Sequence, residues 1–321
     1  MSRAIERLSV LAIALAAALW ATDAYFRSAL LTHLGAAQIV LAEDALITLA
    51  LLPSLIRNRA ELRRLGVRGW IAAVVLGAGP QAVATVLFTA SFAYKSFAVT
   101  YVLQQTQPLI AVVLAGILLG ERRRAAYWPA LVLALAGVYL VVFAPDLKGP
   151  VGSLPSGRVE AALLALGAAA LWALGTVLGR FLSARISFAT TTSLRVTLAL
   201  PVLLAIALGS GGAAGLTHYR AGDVPSLLGL AIIPGLLALL LYYRALKVTP
   251  ASLSTIAEMA FPVAATLIAT APPPFGFGQA IYGPQLVGTA LLLAAIVFVN
   301  WGKFHHMVRA RPHLAATPTR P

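Results

Sequence analysis

The sequence predicts an all-α polytopic membrane protein of ten transmembrane helices, arranged as two inverted five-helix repeats. Three observations lead there: an apolar composition, basic clusters on alternate loops, and an internal register of 152 to 154 residues. Of 321 residues, 60% are hydrophobic and 11% are charged. A soluble domain is about 45–50% apolar and about 25% charged. That much apolar surface needs lipid as solvent, and helices that close their own hydrogen bonds are the natural way to cross it. A membrane barrel requires alternating short strands, which the sequence lacks.

The first expected span, Leu8–Tyr25, follows Arg3 and Arg7 and resembles a signal peptide, but the repeat needs it as its first helix. Gly35–Ile56 ends at Arg57, and Trp70–Phe92 lies between the Arg63, Arg64 and Arg68 cluster and Lys95. Phe97–Leu119 runs to Glu121 and Arg122–Arg124, and Tyr127–Phe143 completes the first half. Val159–Leu178 is bounded by Arg158 and Arg180, and Ile186–Leu208 begins after Arg185. Leu227–Leu246 ends at Lys247, Ala251–Ala271 lies between two prolines, and Ile281–Trp301 stops before Lys303. The halves are therefore 1–148 and 149–302, followed by a basic tail, 303–321.

On this assignment 18 of the 24 Lys and Arg fall on one side, five on the other, and Arg195 lies inside a span. By the positive-inside rule both termini are expected in the cytoplasm, and the location is a bacterial inner membrane. The net charge of +14 follows these loops rather than one face of a soluble domain, which argues against nucleic acid as a partner. There are no cysteines and no nucleotide-binding loop, so no disulfide, thiolate site or direct ATP coupling is expected. No cofactor and no metal site are expected either; His305, His306 and His313 belong to the tail.

The repeat is visible in two places. Ala17-Ala18-Leu19-Trp20-Ala21 recurs letter for letter as Ala169-Ala170-Leu171-Trp172-Ala173, and Gln104 before Pro108 is matched by Glu258 before Pro262. An odd number of spans per half makes the second half enter from the opposite side. Such inverted repeats place a substrate site near the midplane and suit alternating access.

Charge inside a span costs about 2.5–3.5 kcal/mol on insertion scales, so each case marks a candidate site. Glu43, Asp44, Arg195 and Glu258 are expected to gate or couple transport, with Arg195 pairing Glu43 or Asp44 across the halves. Pro108 and Pro262 are expected to kink their helices and free the carbonyls of Gln104 and Glu258. Trp20, Asp23, Tyr101, Gln104, Gln105, Trp172, Tyr243 and Glu258 are the expected substrate-binding residues. Glu121 is assigned to headgroup contact, and Gly77, Gly79, Gly167 and Gly175 to close helix packing.

The paired Trp20 and Trp172, the stretch Leu103–Ile110 running to Glu121, and its counterpart from Tyr242 to Val263 resemble the EamA branch of the drug/metabolite transporter superfamily. The resemblance implies a secondary transporter that exports metabolites or xenobiotics by alternating access; the buried carboxylates suggest proton coupling. The chain departs from the family after its ninth span, where Pro272–Gln279 contains no acid. A membrane-embedded enzyme acting on a lipid-like substrate, a channel and an accessory subunit stay open as alternatives, though the scattered acids suit catalysis poorly. Expected partners are a small-molecule substrate and the bilayer, with the protein as a monomer or homodimer.

Overall fold

The structure is a computed structural model, and it describes residues 3–118, 127–143, 157–246, 257–258 and 260–309. Every regular element among them is helical. Seven stretches are long and apolar enough to cross a membrane: Leu8–Leu30, Ala36–Arg57, Gly66–Tyr94, Phe97–Leu118, Arg158–Gly179, Phe188–Gly211 and Ala221–Tyr242. Three shorter apolar helices, Leu131–Leu140, Ala260–Thr270 and Gly283–Ala295, lie where the other three spans were expected. Large apolar side chains such as Leu11, Ile71, Leu135, Leu163 and Leu267 are exposed along these helices, as lipid-facing surface requires.

Several stretches are interrupted, and the interruptions are chemically specific. The first consists of α1 (Arg3–Ala21) and α2 (Asp23–Leu30), broken at Thr22. The Tyr101 hydroxyl closes this break: it donates to the Ala21 carbonyl at 2.7 Å and accepts from the Ala24 N–H at 3.1 Å. It thereby satisfies two backbone groups that a helix break strands. The next helices are α3 (Ala36–Arg57) and α4 (Arg59–Leu62).

The third stretch is α5 (Gly66–Leu76), a π-helical segment Gly77–Val83 around Pro80, and α6 (Ala84–Ser91). Proline has no N–H to give, so the ladder widens and the Ala84 N–H reaches the Gly79 carbonyl five residues back. The fourth is α7 (Phe97–Gln104) and α8 (Gln107–Leu118), broken at Gln105 and Thr106. Pro108 thus sits in the first turn of α8, where its missing donor costs nothing. Then come α9 (Tyr127–Phe143), α10 (Arg158–Ser183) and α11 (Phe188–Gly215).

Next is α12 (Val224–Leu230), a second π-helical segment Ala231–Leu237 around Pro234, and α13 (Ala238–Leu246). Here the Ala238 N–H reaches the Ile233 carbonyl, again five residues back. Both π segments, their prolines and their closing bonds are 154 residues apart. The last described helices are α14 (Ala260–Thr270), which contains Pro262, and α15 (Gly283–Arg309).

The neighbour pattern follows the same register. α1 packs on α13 and α14, while α10, its counterpart, packs on α6 and on α7–α8. α11 meets the first π segment and α3 meets the second; α3 with α11 and α9 with α15 pair counterpart with counterpart. Exchanging the two stretches reproduces these pairings. Two glycines let α10 and α11 approach the π segment around Pro80 closely. A Cβ on Gly77 would stand 2.8 Å from Leu198 Cβ, and one on Gly175 would stand 2.7 Å from Pro80 Cβ.

A candidate transport site of two half-sites and a buried charge network

The helix breaks and π segments position two clusters of aromatic and polar side chains. In one, Trp20 of α1 lies against Tyr242 of α13, ring centroids 5.1 Å apart, and the Tyr242 hydroxyl donates to Glu258 at 2.6 Å. In the other, Trp172 of α10 lies against Phe88 of α6 at 5.0 Å. Gln104 beside it donates to Gln107 at 3.1 Å, and Gln107 donates to Thr176 at 3.3 Å. Trp20 matches Trp172, Tyr242 matches Phe88 and Glu258 matches Gln104 in the repeat register. The half-sites are alike in shape but unlike in chemistry: one holds an acid and a phenol, the other a phenyl ring and amides. Trp20, Gln104, Gln105, Trp172, Tyr242 and Glu258 are all partly exposed, as a ligand-facing set must be.

Tyr101 and Asp23 sit differently from the rest of the expected binding set. Tyr101 is buried, packs against Phe92 and Phe261 at 5.4 Å each, and uses its hydroxyl on backbone. Asp23 faces Arg27. Gln105 lies in the break between α7 and α8. The side chain of Tyr243 lies outside the described residues, as do Glu121 and the histidines of the tail. Pro108 is described in its backbone alone.

The charge network lies around α3. Arg27, one of the five basic residues counted on the second side, is carried inward by α2 and is 2% exposed. Its Nε donates to Asp23 at 2.6 Å, Nη1 to Thr89 at 2.7 Å and Nη2 to Glu43 at 2.7 Å. Three charge-assisted bonds of this kind make such a burial tolerable. The expected pairing of Arg195 with the acids of α3 takes an indirect form. Arg195 Nε donates to the Gln81 side-chain oxygen at 2.7 Å, and the Gln81 amide donates to Asp44 at 2.9 and 3.2 Å. Gln81 comes from the π segment, whose widened turn directs it between α3 and α11. Sequence reasoning missed both Arg27 and Gln81; the four-residue spacing of Asp23 and Arg27 was the available signal.

In the stretch after α14 that lacks an acid, Gln279 binds the start of α7 and the turn before it: its oxygen accepts from the Ala98 N–H at 3.1 Å and its amide donates to the Lys95 carbonyl at 2.6 Å. Phe277 beside it stacks on Phe97 at 3.9 Å. Among the described residues no group of three metal-ligating side chains comes together.

Comparison with known proteins agrees with this architecture. The model of the EamA-like transporter family matches residues 7–143 and 159–301. The riboflavin transporter ImpX of Fusobacterium nucleatum subsp. nucleatum is 28% identical over 225 residues, which are 69% of this chain and 72% of that protein. A crystal structure of a protein 18% identical shares the fold, with a TM-score of 0.56 over 95% of this chain and 99% of the other. The two family matches begin 152 residues apart, the offset that relates Trp20 to Trp172, and the chain belongs to the EamA-like transporter family.

Proposed function

We propose that the protein is a secondary transporter that exports small planar aromatic metabolites by alternating access, with riboflavin the first compound to test. The observation that carries this reading is the pair of half-sites, Trp20–Tyr242–Glu258 and Trp172–Phe88–Gln104, set in the repeat register. Tryptophan faces suit a flat ring, and the amides of Gln104 and Gln107 with the Glu258 carboxylate suit its polar edge. The riboflavin transporter among its relatives supports this substrate class.

In this reading the ten helices form two inverted repeats, 1–148 and 149–302, and the tail 303–321 is cytoplasmic. The neighbour pattern, which survives exchange of the halves, and the matched π segments support it. Two related halves can exchange conformations and so open the site to either side in turn. Exposed Arg63, Arg64 and Arg68 beside exposed Trp70 favour that end of α5 as the cytoplasmic interface of a bacterial inner membrane. The protein acts as a transporter rather than an enzyme, as a monomer or homodimer, with Glu43, Asp44, Arg195 and Glu258 in coupling or gating.

The test is riboflavin counterflow in proteoliposomes. Wild type should exchange labelled riboflavin, and Trp172→Ala and Glu258→Gln should each lower the rate at least tenfold. Equal rates in all three would remove the half-sites from the transport path.

A further inference from the structure

The buried charges around α3 do not balance. Arg27 serves both Asp23 and Glu43. Asp44, the next residue on α3, is 0% exposed and receives the amide of Gln81, whose oxygen in turn holds Arg195. Asp44 adjoins Glu43 on α3, so the two groups lie side by side, and among the described residues this cluster contains three carboxyl groups and two guanidinium groups. Fully ionised it is a net anion away from water, a state that a low-dielectric interior strongly disfavours. One added positive charge neutralises it.

The place for that charge is marked by a second observation. The Thr48 hydroxyl, one helical turn beyond Asp44 on the same face of α3, is buried and has no hydrogen-bond partner among the described residues. A hydroxyl can accept from a carboxylic acid or donate to a carboxylate, so Thr48 suits both forms of its neighbour. The charged and titratable groups around Asp44 are Glu43 on α3, Asp23 and Arg27 on α2, and Arg195 on α11. The ranges of α6, α12 and the second π segment, which also pack on α3, contain none, and Arg59 and Glu61 belong to α4 beyond the end of α3.

We propose that Asp44 is a proton-binding site that couples the transport function inferred above to the proton gradient. In the conformation described here its carboxyl carries the proton and Gln81 holds Arg195 one amide away. On release the O–H bond breaks, the proton passes to water, and its electron pair stays on the carboxylate. The set then gains one negative charge, and Arg195 moves past the Gln81 amide to meet it. Because Gln81 sits on the π segment and Arg195 on α11, that exchange moves the two elements that pack at Gly77. Arg27 keeps its bonds to Asp23 and Glu43 throughout and takes no part in proton exchange.

The site is read directly by pH-difference infrared spectroscopy of the purified protein. The expected result is a buried carboxylic-acid C=O band that disappears in Asp44→Asn, shifts in Thr48→Val and persists in Glu258→Gln. If Asp44→Asn does not fold, the Thr48→Val shift carries the assignment. A band unchanged in folded Asp44→Asn and in Thr48→Val overturns the proposal. So does a band erased when sodium chloride replaces choline chloride at fixed pH, which makes the site a sodium site. In proteoliposomes, riboflavin accumulation under an imposed pH gradient should fall at least tenfold in Asp44→Asn. Wild type that accumulates no riboflavin while the band is assigned to Asp44 overturns the substrate reading alone. Gradient-driven accumulation that survives in Asp44→Asn overturns the proton site alone.

Discussion

At the scale of single residues, Arg27 has the largest energetic consequence. It gives three hydrogen bonds inside the protein, two of them to carboxylates. Arg27→Leu leaves Asp23 and Glu43 buried without their counter-ion and should cost about 3–5 kcal/mol, read as a lowered unfolding temperature in detergent. Adding Asp23→Asn and Glu43→Gln should recover much of that loss; a triple variant as unstable as Arg27→Leu would show that the charge is not the cause. Tyr242→Phe tests the asymmetry of the half-sites, because it gives the Glu258 side the ring of Phe88. Loss of one charge-assisted bond, about 1.5–3 kcal/mol, predicts riboflavin binding weaker by about ten- to a hundredfold, measured by flavin fluorescence quenching. Glu43, Asp44, Arg195 and Glu258 were legible in the sequence because a charge within an apolar block stands out. Arg27 was not, since it follows Tyr25 where the apolar run thins, and uncharged Gln81 gave no signal of its partners.

At the scale of elements, the breaks matter more than the helices. Seven of the ten apolar blocks read from hydropathy correspond to stretches long and apolar enough to cross a membrane, and the other three to shorter apolar helices. How each ladder closes was not readable. Proline predicts an interrupted helix, but a five-residue bond at Ala84 and Ala238, or a fresh start at Gln107, depends on what packs alongside. Likewise the break at Thr22 needs a hydroxyl delivered from α7, 77 residues away from Ala24. Tyr101→Phe strands the Ala21 carbonyl and the Ala24 N–H, which predicts a loss of about 1–3 kcal/mol in thermal unfolding, with the aromatic packing kept. No loss would mean that water serves the break equally well.

At the scale of the whole molecule, two ties join the two family-matched stretches, one near each end of α3. At one end His33 meets Asp223 at 3.0 Å, and the Tyr219 hydroxyl donates to the Gln38 carbonyl at 2.7 Å. At the other, Glu61 accepts from the Ser187 N–H at 2.6 Å. The first tie joins the loop after α2 to the segment before α12; the second joins α4 to the start of α11. At the 152-residue offset the loop after α2 corresponds to the start of α11. The Ser187 N–H, then the Thr190 hydroxyl, hold the Glu61 carboxyl below the usual carboxylate range. A depressed carboxyl stabilises the tie above about pH 4 and loses that contribution as pH falls through its own lower value. Acid should therefore loosen the Glu61 end, and Glu61→Gln should remove that pH dependence.

Because the chain has no cysteine, these ends can be followed with spin labels on single introduced thiols. The most direct test of alternating access is a pair of pulsed electron–electron distances, one from Ala29→Cys to Gly222→Cys and one from Arg64→Cys to Ala184→Cys. Alternating access predicts that Asp223→Asn lengthens the first distance and shortens the second, and that Glu61→Gln does the reverse. Two distances that lengthen together, or that ignore both substitutions, would contradict it.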